Sequence, residues 1–327
     1  MDFLSANSLP WLKNAQQQLR SAAGAGRIPH SLLLLSVPGL GAEQLAHWIT
    51  GLALCESSDP RPCGVCPSCL LLRADSHPDS HLVRLEEDAQ QIKVDQVREL
   101  IESLALKSYR GGFKVGIIEA AEALNTNGAN AFLKTLEEPT ADTVLIMIAR
   151  PNHRLPATIA SRCLRISLRA PEKAAAIAWL DANSAEKKHW DAALSLAGGA
   201  PLQAVAMEAA GLDALHDDMQ KSMTQLATGA VDVTLLAETW SRSNPGLRII
   251  WLENWITQRV RTAVADPNSR QSAEPVRLPS ALLKPKIRAL FELLDATRDI
   301  RRFASTGMNL QLALEALLVG GREALAQ

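Results

Sequence analysis

No apolar run in the 327-residue sequence is longer than Ala174 to Leu180. That falls far short of the roughly 20 residues a bilayer-crossing helix needs, so no membrane partner is expected. The opening Met1-Asp2-Phe3-Leu4 lacks the basic start and apolar stretch of a secretory signal. An excess of either charge is missing too. With 34 Lys/Arg against 35 Asp/Glu and a net charge of −1, the chain has neither the field of a nucleic-acid binder nor that of an acidic solvating tail. Any charge-driven partner must meet a local patch. Cysteine is scarce: five residues are too few for a disulfide scaffold. Repeats of fixed period and low-complexity tracts are absent, which sets aside solenoids and linker-rich arrays.

What remains is globular material. Hydrophobic residues at 47% and charged residues at 21% exclude a largely disordered chain, and the length predicts two or three domains. Up to residue 168, short apolar runs alternate with helical patterns. Ser31–Ser36, His81–Leu85, Lys114–Glu119, Thr143–Ala149 and Leu164–Leu168 read as strands, mostly continuous in apolar character, as in a parallel sheet covered on both faces. Ala42–Leu54, Val94–Ser108 and Asn127–Leu136 read as the helices between them, which predicts a doubly wound α/β unit. After Leu168 the strand signal stops. Pro171 suits the start of one helix, Asn183 with Glu186 a capping pair for a second, and Gly198-Gly199 its end. The expected division is an α/β domain over 1–168, a small helical domain over 169–210 and an all-α domain over 211–327. Breaks in the last are expected near Gly229, Asn244-Pro245, Asp266-Pro267-Asn268 and Gly307. Trp251 and Trp255, four apart, share one helix face and read as core packing ahead of the alternative, an interface cluster. Arg242 to Arg302 holds twelve Lys/Arg against six Asp/Glu, an excess that solvated helix faces commonly carry.

Four of the five cysteines, Cys55, Cys63, Cys66 and Cys69, are spaced C-x7-C-x2-C-x2-C. Four thiolates close a tetrahedral zinc site and leave no position for water, so the expected cofactor is a structural Zn²⁺ held in a reducing compartment. The cytoplasm is the expected address. Gly64 and Pro67 suit the tight turns such a site needs. His77 could compete as a ligand, although four sulfurs suffice.

The first strand runs into Ser36-Val37-Pro38-Gly39-Leu40-Gly41-Ala42-Glu43. A working phosphate loop reads G-x-x-x-x-G-K-[ST], its Lys reaching the β/γ-phosphates and its hydroxyl holding Mg²⁺. Here Gly39 and Gly41 survive, but Ser36 replaces the first Gly, Ala42 the Lys and Glu43 the hydroxyl residue. Glu43 adds negative charge where a polyanion would sit. At the end of the third strand, Glu119 is followed by Ala120, which cannot polarise water. No productive ATP binding is expected.

Asn130-Ala131-Phe132-Leu133-Lys134-Thr135-Leu136-Glu137-Glu138-Pro139 resembles the helix signature of bacterial DNA polymerase III clamp-loader subunits of the AAA+ class. Leu155-Pro156-Ala157-Thr158-Ile159-Ala160-Ser161-Arg162-Cys163 resembles the Ser-Arg-Cys segment of the same family. The likeness is specific over 1–168, looser over 169–210, and beyond that rests on length and helical pattern. It implies a P-loop NTPase-like (AAA+) α/β domain, a helical lid and a helical collar that holds subunits in a ring. The implied partners are γ/τ ATPase subunits and the δ subunit. The implied task is to place the β sliding clamp on primed-template DNA, as a component of the DNA-directed DNA polymerase holoenzyme. The family's lid Arg corresponds to Leu202 here, and its γ-phosphate-sensing polar residues are replaced around Ala149-Arg150. The resemblance therefore implies a subunit that does not hydrolyse ATP itself. Taken by itself Arg162 reads as a surface ion pair at a helix end; the resemblance instead assigns it as an arginine finger reaching a neighbour's ATP site, with Ser161 and Cys163 positioning it. Ala131, Leu133 and Leu136 are expected to pack on the sheet, with Lys134, Glu137 and Glu138 toward solvent or a neighbour. The alternatives are an autonomous γ/τ-type ATPase and a zinc-bearing DNA-binding module.

Overall fold

The computed structural model of the chain describes residues 3–58, 60–86, 89–151, 155–184, 190–264, 285–303 and 308–326. It divides into two compact units: Met1–Ala182 with Gly199–Gln203, and Asn183–Gly198 with Ala204–Gln327.

The first unit contains α1 (Lys13–Gly24), β1 (Ser31–Leu35), α2 (Ala42–Leu54), α3 (Pro67–Arg73), β2 (Ser80–Val83), α4 (Val94–Ala105) and β3 (Lys114–Ile118). It continues with α5 (Thr126–Glu137), β4 (Thr143–Ala149), α6 (Ala157–Ala160), β5 (Leu164–Ser167) and α7 (Lys173–Asn183). The strands form one parallel sheet in the order β2-β3-β4-β1-β5. Strand burial follows position in that order. The central strands β1, β3 and β4 are almost wholly buried, whereas the edges β2 and β5 are half open. Alternate residues then serve two cores. Leu32, Leu34, Val144, Ile146 and Ile148 pack with α1 and α2, and Leu33, Leu145 and Met147 pack with α4 and α5. Each such side chain contributes about 1.5–3 kcal/mol when fully buried. This is the parallel α/β architecture that the sequence pattern predicts.

The differences from expectation are local. Helix α4 stops at Ala105 rather than Ser108, because the buried Lys114 ammonium takes the carbonyls of Leu104 (2.6 Å) and Leu106 (2.8 Å) and Leu106 turns extended. Asn183 is the last residue of α7 rather than the cap of a new helix, and Glu186 lies outside the described residues. In α5 the residues driven into the core are Ala129, Phe132 and Leu136, with Leu133 half-buried.

The second unit is helical among its described residues: α8 (Trp190–Leu196), the later part of α9 (Pro201–Ala209), α10 (Leu212–Thr228), α11 (Val233–Arg242), α12 (Pro245–Val264), α13 (Pro285–Phe303) and α14 (Leu310–Ala326). Gly198 and Gly199, both at positive φ, follow α8, and left-handed Gly229 ends α10. Asn244-Pro245 opens α12. The breaks expected at Asp266-Pro267-Asn268 and Gly307 lie outside the described residues, as does the 265–284 part of the basic stretch. Trp251 is 3% exposed, as core packing requires, and its ring stacks at 6.2 Å on that of Trp255, which is only half-buried and carries the Arg259 guanidinium over its ring at 4.0 Å.

Candidate functional site

Three places in the first unit carry chemistry. The first is the cysteine module. Cys55 follows the last turn of α2 in extended backbone, while Cys66 is the N-cap of α3, its sulfur accepting the Cys69 N–H. Pro67 in the first helical position lets α3 start at once. The four sulfurs lie within 4.8 Å of one another, and the Cys55–Cys66 and Cys63–Cys69 pairs are 4.0 and 3.9 Å apart. A tetrahedron of sulfurs around zinc has edges of about 3.8 Å, so the donor set and its spacing fit a tetrahedral metal ion. Backbone N–H groups of Val65 and Cys66 push the Cys63 thiol down to about 6, whereas burial raises those of Cys55 and Cys69. His77 is turned to other work. Its Nδ1 accepts the Asp79 N–H at 3.1 Å, so Nε2 carries the proton and donates to the Ser68 hydroxyl at 3.1 Å. Ser68 in turn donates to Glu56 at 2.7 Å, and Arg110 reaches the same carboxylate at 2.8 Å. These two hydrogen bonds hold the Glu56 carboxyl below its usual range. The module is thereby tied to the loop after α4. No sequence pattern pairs residues 56 and 110.

The second place is the phosphate loop at the C-terminal edge of the sheet, where strand order reverses beside β1 and ligands of open α/β sheets bind. Gly39 (φ +82) and Gly41 (φ +85) adopt the left-handed turns that glycine permits. The chain from 199 to 203 is seated on this loop: the Leu202 N–H donates to the Gly39 carbonyl at 3.2 Å. A Cβ on Gly39 would lie 2.4 Å from the Gln203 Cβ. Leu202 itself packs into the α2-side core. The cleft left beside the loop, lined by Ser36, Ala42, Glu43, Ala120 and Arg150 among others, measures about 110 Å³. Small-molecule pockets commonly run to about 300–1,000 Å³. Glu119 pairs with Arg84 at 3.4 Å and is pushed up by burial, and Arg150 pairs with Glu122 at 3.4 Å. The seating of Gln203 is a contact that the sequence did not announce, since it and Gly39 lie far apart along the chain.

The third place is the α6–β5 corner. Arg162 follows α6, and its side chain is 35% exposed. Nη1 donates to the Thr158 carbonyl at 2.8 Å, and Nη2 pairs with Glu137 at the end of α5. Glu137 therefore meets Arg162 and is not simply turned to solvent. Cys163 is pinned behind it, its thiol accepting from Ser31 at 3.1 Å and donating to the Ile159 carbonyl at 3.2 Å, and burial raises its pKa.

Residues 11–172 match the family model described as "DNA polymerase III, delta subunit". The chain is 32% identical over 322 residues to "DNA polymerase III subunit delta'" of Pseudomonas aeruginosa, covering 96% of this chain and 97% of that protein. It is 36% identical over 200 residues to the protein of the same name in Escherichia coli K12, over 61% of this chain and 60% of that one. "DNA polymerase III subunit tau" of Salmonella typhimurium is 33% identical over 153 residues, 46% of this chain and 23% of that protein.

Proposed function

This chain belongs to the DNA polymerase III delta' subunit family of clamp-loader subunits, and from that premise we propose that it is a non-hydrolysing member of the loader that lends Arg162 to a neighbour's ATP site. One contrast carries the reading. The chain's own phosphate loop is covered by Leu202 and Gln203, whereas the Arg162 side chain stays 35% exposed at the α6–β5 corner. Ala42 and Ala120 add to it, since neither the phosphate-reaching ammonium nor a carboxylate to polarise water is available.

In this reading Arg162 acts in trans. A planar guanidinium bridges phosphate oxygens and offsets charge that develops during phosphoryl transfer, an effect worth about 10³–10⁵ in rate in well-studied switches. The neighbour is a γ/τ-type ATPase. The δ subunit completes the ring, and the assembly acts on the β clamp and primed-template DNA in the cytoplasm. The chain's division into α/β domain, lid (169–210) and collar (211–327) belongs to the same proposal. Zinc is the ion we assign to Cys55, Cys63, Cys66 and Cys69. Coordinated by four sulfurs it supplies rigidity, and no step of the reaction passes through it.

The test is DNA-stimulated ATP turnover by the loader reconstituted with this chain or its Arg162→Ala variant, after assembly has been shown to be equal. A clear fall in kcat supports the in-trans role. Unchanged turnover overturns it, and ATP hydrolysis by the purified chain alone favours the autonomous ATPase instead.

A further inference from the structure

We propose that Glu137 is the positioning residue that sets the Arg162 guanidinium for its role in trans, an inference that rests on the reading of Arg162 given above. Arginine is long and rotamer-rich, and a finger supplied to another subunit has to arrive already oriented. The corner provides anchors on both sides of the side chain. Its backbone stands between Ile159, fully buried, and Cys163, whose sulfur is bound to Ser31 and to the Ile159 carbonyl. Its tip is held at both terminal nitrogens: Nη1 by the Thr158 carbonyl, with the Ser161 hydroxyl at 3.4 Å, and Nη2 by Glu137.

The two grips come from different helices. Thr158 lies in α6, and Glu137 is the last residue of α5, fixed from below by Phe132 (1% exposed) and Leu136 (2%) in the core. Together they define the plane of the guanidinium, not only its direction. They also leave capacity. Among the described residues Nε–H has no hydrogen-bond partner, so that N–H remains for a phosphate oxygen. Stability does not account for the pair. The two side chains are 35% and 50% exposed, and ion pairs that open contribute little to folding. Substitution at Glu137 should therefore leave the fold intact.

The experiment compares the reconstituted loader carrying Glu137→Ala, Glu137→Gln, Arg162→Ala or the Glu137→Ala/Arg162→Ala double variant, measuring kcat and KM for ATP with primed DNA. Glu137→Ala should lower kcat by about three- to tenfold, the scale of one ordinary hydrogen bond lost at a half-exposed pair, with KM little changed. Glu137→Gln, which keeps an acceptor oxygen, should recover part of the loss. The double variant should be no slower than Arg162→Ala alone, because a positioning residue has nothing to position once the Arg is gone. Wild-type kcat in Glu137→Ala, a change confined to KM, or an additive loss in the double variant overturns the proposal. If Arg162→Ala lowers kcat and Glu137→Ala does not, only the role of Glu137 fails. If Arg162→Ala is itself without effect, the in-trans reading fails and takes this one with it.

Discussion

Cys66 serves both as a member of the sulfur cluster and as the N-cap of α3, so its loss is felt twice. Cys66→Ser should bring bound zinc below one ion per chain by elemental analysis. The serine hydroxyl can still cap, so the fall in Tm measures the metal rather than the helix start. Unchanged metal content would sink the zinc assignment. Glycine offers a sharper contrast. Gly39 and Gly26 both have positive φ, but a Cβ at Gly39 would collide with Gln203, whereas one at Gly26 meets nothing within 4 Å. Gly26→Ala should cost only the left-handed strain, about 1–2 kcal/mol. Gly39→Ala adds overpacking of about 1–3 kcal/mol, and urea midpoints of the two variants would measure the difference. At this scale the cysteine spacing was legible because metal ligation demands residue types at short separations. The Arg162–Glu137 and Glu56–Arg110 pairs were not, since each joins elements that only the fold brings together.

Helix α2 starts at the phosphate loop with Ala42, which is 2% exposed. Ala42→Lys should not create an ATPase, because Ala120 still lacks a carboxylate and Leu202 still sits against Gly39. Measurable turnover by the purified variant would show that the covering segment opens readily. The elements themselves were readable: β4 and α2 have the bounds their apolar patterns suggested, and the other strands differ by a residue or two at an end. Ends went astray where a distant side chain decided them. Lys114, on β3, takes the carbonyls at the end of α4 and halts a helical pattern that the sequence carries on to Ser108.

For the whole molecule, pH provides a test that no single contact does. Burial pushes His47, His77 and His81 below the ordinary histidine value of 6.5. The unfolded chain thus takes up protons near that pH while the folded chain resists them. Stability should be full above about pH 7 and fall as pH drops through 6.5 toward the lowered folded values. Urea unfolding at constant zinc across this range should show the decline, and His47→Gln should flatten it. A midpoint that does not move would refute the linkage. The sequence by itself determined the parallel α/β class, the helical character of the described remainder, the close set of four cysteines and the glycine turn that follows the first strand. Those follow from periodicity, residue type and short spacing, which are properties of neighbours along the chain. Tertiary structure alone decided that Gln203 covers Gly39, that Glu137 grips Arg162 and that the cysteine module is tied to Arg110. Contacts of that kind depend on where separate elements come to rest, and that is set by packing of the whole core rather than by any local stretch of sequence.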